Sequence, residues 1–389
     1  MVVFHFMDSY LELTETFMYN YILICSRKME RVFIITYWTQ HTEQFPLPAN
    51  VEFILLPAKP KGRKTLSGMY AHLYAKFTGC PLEYVPLRKK LIKYKRGLVH
   101  CHFGNRGIEF MKILEVMRMN KKFVVSFYGY DIGYLVHNEP GYVEQLQKLW
   151  ETCSGVFAEG PFMLGRLEAL GLPAKKSYLN PILIDTGLYP EKSLQSVERS
   201  NKTLNCLIVG RFVEKKGIHI SLQAFGELKK QGYTNFYITL VGDGPMKENY
   251  LNIITAYELS DQVDFKGMLS HEKCKELLFD HDVLLHPSLE SAAKDSEGGA
   301  PTIIIEAQCI GTMVIASFHA DIPFVMGYHD LLCKENDEED LIRVIRKYID
   351  MPVDQRNSLI AQGRTIVKKQ HTLDTGKYIE NLQTVLAKN

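Results

Sequence analysis

A chain of 389 residues exceeds one ordinary hydrophobic core and suits two domains, and its 46% hydrophobic content is that of a soluble globular protein. No apolar run reaches the roughly 18 to 20 residues that span a bilayer, and no basic segment precedes an apolar one at the N-terminus, so neither a membrane span nor a signal peptide is expected. Eight cysteines without Cys-x-x-Cys spacing read as reduced thiols of a cytoplasmic protein rather than a disulfide framework. The formal charge of +2 hides an asymmetry: residues 1–185 carry 23 basic against 16 acidic side chains (+7), and the remainder 23 against 28 (−5). The split points to an anionic surface facing the first half, with nucleic acid and an anionic membrane as candidates.

Val2 to Phe6 reads as the first strand of a parallel sheet. Leu13-Thr14-Glu15-Thr16-Phe17 leads into a helix from about Thr16 to Lys28, and Arg31 to Thr36 is the next strand, a series that marks βαβ units. By spacing alone Thr14 is a helix cap. Residues 65–96 look helical. Lys59 to Lys64 and Arg88 to Arg96 are basic runs, and the second mixes bases with apolar residues at helical spacing. It suits an amphipathic helix on anionic lipid, each base contributing about 1 kcal/mol, or equally a solvated helix face.

Leu98 to Gly104 is a strand ending in His-Phe-Gly. Ends of parallel strands line the crevice of a doubly wound sheet, so His102 is either a cleft residue or a satisfied structural histidine. Phe123 to Phe127 is a further strand, leading into Tyr128-Gly129-Tyr130-Asp131, where Asp131 can cap the turn. A helix through Leu170 stops at Gly171-Leu172-Pro173, and residues 186–203 are polar and read as a linker.

Cys206 to Gly210 is a buried strand. Arg211, Lys215, Lys216 and Gly217 follow, then an amphipathic helix to about Gln231. A strand, a loop holding Arg and Lys, and a helix make a diphosphate clamp, with Arg as a planar fork and Lys as a mobile point charge. Phe236 to Val241 leads into Gly242-Asp243-Gly244-Pro245, Val263 to Gly267 is a strand and turn, and Val283 to Ser288 is a strand. The absence of Gly-x-Gly-x-x-Gly with an acidic residue about 20 positions on argues against a dinucleotide oxidoreductase. His271, Cys274 and His281 share one predicted helix but lack a fourth ligand, so no metal is expected.

Glu297 to Ser317 is a turn, a helix and a strand in quick succession. Gly298 and Gly299 allow close approach of the backbone to something bulky. Pro301 fits the first turn of a helix from Thr302 to Ile310, Gly311 closes it, and Met313 to Ser317 is a strand. The free N–H groups and positive dipole end of that helix form a phosphate site. Glu306, one turn inside, is either an acceptor for hydroxyls such as those of a ribose or the partner of a buried cation. Residues 338–389 read as helical and charged.

Together these motifs resemble glycosyltransferase family 4, the retaining sugar transferases of GT-B fold, and within it the subgroup that builds bacterial surface polysaccharides of the colanic-acid type. The resemblance rests on Glu-Gly-Gly-Ala-Pro at 297–301 with Glu306-Ala307, on Gly210-Arg211 with Lys216-Gly217, and on Gly242 to Pro245. His100-Cys101-His102-Phe103-Gly104 is similar to the subgroup's His-Ala-His-Phe-Gly, and Thr14-Glu15-Thr16-Phe17 to its Ser-Glu-Thr-Phe, which faces the interdomain cleft. Two departures stand out. The family's paired glutamates are eight positions apart, whereas Glu297 and Glu306 are nine apart, and Tyr128 replaces a histidine that reaches the donor sugar. A neutral phenol can hydrogen-bond a hydroxyl but cannot supply an imidazolium.

The resemblance implies an α/β protein of two Rossmann-like domains facing across a cleft. They would be residues 1–185 on the acceptor side and 186–372 on the nucleotide-sugar side, with 373–389 as a helix crossing back to the first. It implies transfer of a sugar from a UDP- or GDP-sugar to a hydroxyl of a glycan or lipid-linked glycan, with retention and without cofactor or metal. Arg211, Lys216, Glu297, Tyr128 and His102 would serve catalysis. Gly210, Gly242, Gly267, Gly298, Gly299, Ala300, Pro301, Thr302 and Glu306 would bind the donor, and Glu15, Thr16 and Asp131 would face the acceptor. The expected place is the cytoplasm, with Arg88 to Arg96 as the candidate contact to the inner membrane face, and no nucleic-acid partner is expected. The alternatives are a nucleotide-sugar 2-epimerase of similar fold and a non-catalytic nucleotide-sugar-binding subunit.

Overall fold

The structure, a computed structural model, describes residues 1–12, 15–57, 80–193 and 203–388. Thr14, the basic run Lys59 to Lys64, the start of the helix expected over 65–96 and much of the polar linker lie outside the described residues. The chain forms two compact units, one of Met1–Glu159, Leu164–Asn180 and Gly376–Asn389, the other of Gly160–Met163 and Pro181–Thr375.

The first unit is built on a parallel sheet of seven strands. In spatial order they are Val51–Leu55, Arg31–Thr36, Val2–Phe6, Leu98–His102, Phe123–Ser126, Gly155–Ala158 and Ser177–Leu179. Val2–Phe6 and Leu98–His102 are buried along their whole length, as strands covered on both faces must be, which is why they read as near-continuous apolar runs. Helix Thr16–Lys28 forms over the expected span. The basic segment folds as helix Val85–Lys93, but its apolar residues Leu87 and Leu91 are buried within the protein. Lys89, Lys93, Lys95 and Arg96 remain exposed.

A six-stranded parallel sheet carries the second unit, in the order Val263–Gly267, Phe236–Val241, Leu204–Val209, Val283–His286, Met313–Ser317 and Leu332–Cys333. Both sheets therefore run outward from a first strand and then reverse to its other side. The reversal lies between Val2–Phe6 and Leu98–His102 in one and between Leu204–Val209 and Val283–His286 in the other. Ligands of such sheets bind beyond the carboxyl ends of the strands at this point.

Several boundaries differ from expectation for local reasons. Strand Val283–His286 ends two residues before Ser288, since Pro287 has no N–H to give a ladder. Helix Thr302–Ile310 forms as expected and ends at Gly311 in the left-handed region, but Pro301 is its extended N-cap rather than part of the first turn. Near the C-terminus the helix spans Lys377–Ala387, because Gly376 (φ 71°) separates it from the short turn Leu373–Thr375.

Candidate diphosphate site in the second unit

The loops that leave Leu204–Val209 and Val283–His286 meet at the reversal point. Gly217 makes the meeting possible. Its φ is +62°, and a Cβ there would lie 1.9 Å from the Pro287 carbonyl oxygen. A second tier is formed by Gly210, Gly242 and Gly267 at three neighbouring strand ends. The Gly210 N–H donates to Val241 O (3.0 Å) and the Gly242 N–H to Gly267 O (2.9 Å). A Cβ on Gly242 would strike the Gly210 carbonyl at 1.9 Å.

Lys216 ends the short turn Glu214–Lys216 and reaches Glu297, its Nζ 2.8 Å from Oε1 and 3.0 Å from Oε2. Ser288 Oγ donates to Glu297 Oε1 at 2.8 Å, and His286 Nε2 stands 3.6 Å from the same oxygen. Burial alone would push the Glu297 carboxyl up, but the Lys216 ammonium, then His286 and Lys215, hold it well below the usual range. Burial draws the Lys216 ammonium down, Glu297 restores part of the loss, and the positive charges of Lys215 and Arg211 add to the lowering. The result is an ion pair, 14% and 8% exposed, that holds a cation ready at the sheet's reversal point. Arg211 beside it is exposed, and its side chain has no hydrogen-bond or ion-pair partner among the described residues.

The loop between Leu289 and Glu297 is tied to the 214–216 turn at several points. The Leu289 N–H donates to Lys215 O (2.9 Å) and the Ala292 N–H to Glu214 Oε1 (3.2 Å). Lys215, itself buried, reaches Asp295 Oδ1 and Ser296 O, both at 2.9 Å. Past this loop Gly298 takes φ +74°, and Gly299 O accepts from the Asp321 N–H at 3.3 Å. Helix Thr302–Ile310 then begins with no side-chain cap on its N–H groups, leaving them for an anion. Ala300 is buried beside them and Thr302 is half-buried.

Glu306 is buried, and its Oε1 accepts from Tyr189 OH and His271 Nε2, both at 2.9 Å. Burial lowers the His271 imidazole, but the hydrogen bond and charge of Glu306 outweigh it and leave it raised. His271, Cys274 and His281 do not converge: His281 bonds Leu277 O and Thr239 instead. Among the described residues the group spaced for a metal is a different one, His5, His100 and His102.

Those three belong to the first unit's reversal point and are fully buried. His5 Nδ1 is 2.9 Å from His102 Nε2, and His102 Nδ1 is 2.9 Å from the Tyr128 hydroxyl. His100 lies 2.7 Å from both Tyr378 OH and Ser126 Oγ. Burial holds all three imidazoles neutral, with His5 lowered to about 3. These short nitrogen–nitrogen and nitrogen–hydroxyl contacts make a hydrogen-bonded network, in which His5 Nε2 has no partner among the described residues. His102 and Tyr128 are thus neighbours inside this unit, Tyr128 being 4% exposed. Asp131 is fully buried and accepts from the Gly104 N–H (2.6 Å) and the Tyr128 N–H (2.8 Å), the capping role that its spacing allowed. Glu15 precedes helix Thr16–Lys28, which opens at Thr16. Its Oε2 accepts from the Glu12 N–H (2.8 Å), and burial raises its carboxyl to about 7.

The structure brings Lys216, Glu297, Gly210, Gly242 and Gly267 to one edge of the second sheet. It adds Lys215, which the sequence reading placed in this loop without a role, and His286, Ser288, His319 and Glu335, which it gave none. His286 ends its strand and the others follow the carboxyl ends of theirs, so the reversal-point rule was the signal that could have found them.

Residues 191–366 match the model of the family "Glycosyl transferases group 1". The chain is 29% identical to WcaL of Salmonella typhimurium, named for a colanic acid biosynthesis glycosyltransferase, over 68% of this chain and 64% of that protein. It is 30% identical to the amylovoran biosynthesis glycosyltransferase AmsK of Erwinia amylovora, over 63% of this chain and 59% of the other. The matched region thus spans less than two thirds of either relative. Among solved structures, Anabaena HepE in complex with UDP and glucose superposes with a TM-score of 0.74 at 17% identity, covering 99% of this chain and all of that one. WaaG, a glycosyltransferase of lipopolysaccharide biosynthesis, superposes with a TM-score of 0.64 at 15% identity over the full length of both. The chain has the GT-B fold, its residues 191–366 match the group 1 glycosyl transferases, and it is similar to the exopolysaccharide glycosyltransferases WcaL and AmsK.

Proposed function

We propose that this protein transfers a sugar, with retention of anomeric configuration, from a nucleotide diphosphate sugar to a hydroxyl of a glycan or lipid-linked glycan during surface polysaccharide synthesis. The observation that carries the reading is the Lys216–Glu297 pair, braced beside the partnerless Arg211 and an uncapped helix end at the sheet's reversal point. Departure of a nucleoside diphosphate needs positive charge placed in advance. Arg211 as a fork, Lys216 as a point charge and the N–H groups at Thr302 supply it, so the reading assigns no metal. Glu306 offers its carboxylate to the ribose hydroxyls, and Gly298 to Pro301 border the phosphates and donor sugar.

In the transfer, the acceptor oxygen bonds the anomeric carbon on the face from which the C–O bond to phosphate breaks. The acceptor proton passes to a phosphate oxygen of the leaving diphosphate. Binding of UDP by the HepE protein supports the class of donor. In this proposal Lys89, Lys93, Lys95 and Arg96 meet an anionic membrane chiefly by charge, because Leu87 and Leu91 are turned into the protein and Ile92 is left as the helix's exposed large apolar side chain. No described helix is long and apolar enough to cross a membrane.

The test is a thermal-shift screen over UDP- and GDP-sugars followed by transfer assays with the ligands that bind. A ligand at 100 times its dissociation constant adds about 2.7 kcal/mol, a readily measured rise in melting temperature. A shift with UDP-sugar or GDP-sugar and a glycosylated product support the reading. Epimer formed from nucleotide sugar alone, or binding without turnover against any acceptor, would replace it with one of the two alternatives.

A further inference from the structure

Both ends of the Leu289–Glu297 loop hang from one pair of side chains that lie outside it. The Glu290 N–H donates to Glu335 Oε1 at 2.6 Å, and the Glu297 N–H donates to His319 Nε2 at 3.2 Å. His319 Nδ1 and Glu335 Oε2 are 2.9 Å apart. These contacts fix the tautomer. Nε2 receives an N–H and so presents its lone pair, which leaves the proton on Nδ1, from where it is donated to the Glu335 carboxylate. His319 is 4% exposed and follows strand Met313–Ser317, while Glu335 follows Leu332–Cys333. The fifth and sixth strands of the second sheet therefore brace a loop that begins at the fourth.

The contact lies at the residue where direction matters most. Glu297 is the last residue before Gly298 enters the left-handed region, and its carboxylate is the one that holds Lys216. The 214–216 turn restrains the same loop from its other side through Glu214 and Lys215. Lys215 holds the Ser296 carbonyl, and His319 takes the N–H at the other side of the same planar peptide, so the two together fix the plane from which the Glu297 side chain departs, just before the two glycines.

We infer that His319 is a positioning residue: oriented by Glu335, it anchors the backbone of Glu297 so that the Glu297 carboxylate presents Lys216 to the diphosphate of a bound nucleotide sugar. The inference rests on the diphosphate reading of this site. It requires of His319 an acceptor at the Nε2 position, not a charge and not mere bulk.

Two substitutions separate these. His319→Gln can place an amide oxygen near the position of Nε2 and keep the acceptor, whereas His319→Leu fills similar space without one. UDP and GDP affinity, donor KM, kcat and melting temperature are measured for wild type and both variants. The expected result is a loss of diphosphate affinity of about tenfold for His319→Leu, the size of one hydrogen bond to a backbone N–H near a charged group, with His319→Gln within about threefold of wild type. The loss falls in donor KM and diphosphate affinity, not in acceptor KM. Wild-type affinity in His319→Leu, or equal losses in both variants, overturns the positioning role while leaving the diphosphate reading intact. Failure of the unsubstituted protein to bind any nucleoside diphosphate overturns both. A fall in melting temperature shared by both variants without a difference in affinity marks a packing role, and that too defeats the inference.

Discussion

The two sheets share one strand order and differ in what fills the place where it reverses. In the first unit that place is built mainly of neutral groups: three buried imidazoles, of which His5 and His102 are bonded to each other, together with Ser126 and the phenols of Tyr128 and Tyr378, and beside them the Asp131 carboxyl, held by backbone N–H groups and raised to about 7 by burial. In the second it holds an ion pair, a second buried lysine and an arginine whose side chain has no partner among the described residues. Topology supplies a crevice in both units, and charge decides which of them can take a diphosphate. Hydrogen bonding between neutral rings needs no counter-ion and tolerates complete burial. A cation in reserve has to be kept near the surface beside a carboxylate that can share it.

The largest expected effect breaks the charged side of this comparison. Lys216→Ala should lower turnover by about 10²-fold or more, the cost of one preorganised donor at a developing charge. It also leaves the Glu297 carboxylate without its main partner, so that variant should repel UDP as well as fail to hold it. Lys216→Met, which keeps the stem without the charge, should show the same kinetic loss. Near-normal kcat/KM in either variant removes Lys216 from the chemistry and reduces its pair with Glu297 to a structural brace.

A smaller effect sharpens the neutral side. Burial lowers the His5 imidazole to about 3, against 6.5 for the ordinary group. Below pH 6.5 the unfolded chain binds a proton that folded His5 refuses, so stability falls as pH falls, and the loss is complete only near pH 3. The slope is at most about 1.4 kcal/mol per pH unit for each such imidazole. Denaturant unfolding of the wild type at pH 7.0 and 5.5 should show the decline, and His5→Leu should show a shallower one even if its stability at pH 7.0 is lower. Parallel pH profiles for the two proteins would mean that His5 is protonated in the fold and the network is not neutral.

Much of this was legible in the residues. Alternating strands and helices, with apolar runs at Leu204 to Val209 and Met313 to Ser317, are what a sheet buried on both faces requires, and Gly311 marks its helix end because only a left-handed residue closes that turn. Arg211 and Lys216 were visible because they sit in sequence between a strand and a helix. His319 and Glu335 were not, since they are 22 and 38 positions from Glu297 and touch its loop only once the sheet has set strand order. Tyr128 and His102 looked like separate strand-end residues. Their pairing depends on the register of Leu98–His102 against Phe123–Ser126, which places His102 opposite Ser126. Periodicity reveals which face of an element is apolar but not which polar groups the neighbouring element brings to it.

The smallest effect concerns the rim of the first unit rather than its interior. Glu15 is raised to about 7, first by burial and then by the charges of Glu12 and Asp8, with the Glu12 N–H opposing. Its folded value lies above the unfolded 4.5, so the folded protein holds a proton that the unfolded one releases. Stability is therefore fullest below pH 4.5 and declines as pH rises toward 7. Above that the carboxylate is charged in a place that disfavours it. Glu15→Gln removes this cost and should raise stability at pH 8 by about 1 kcal/mol or less, with little or no gain at pH 5. A gain of equal size at both pH values would tie the effect to packing instead of charge. If Glu15 also meets the acceptor sugar, the same variant raises acceptor KM and leaves donor KM alone, which would separate a role in binding from the cost of burying its charge.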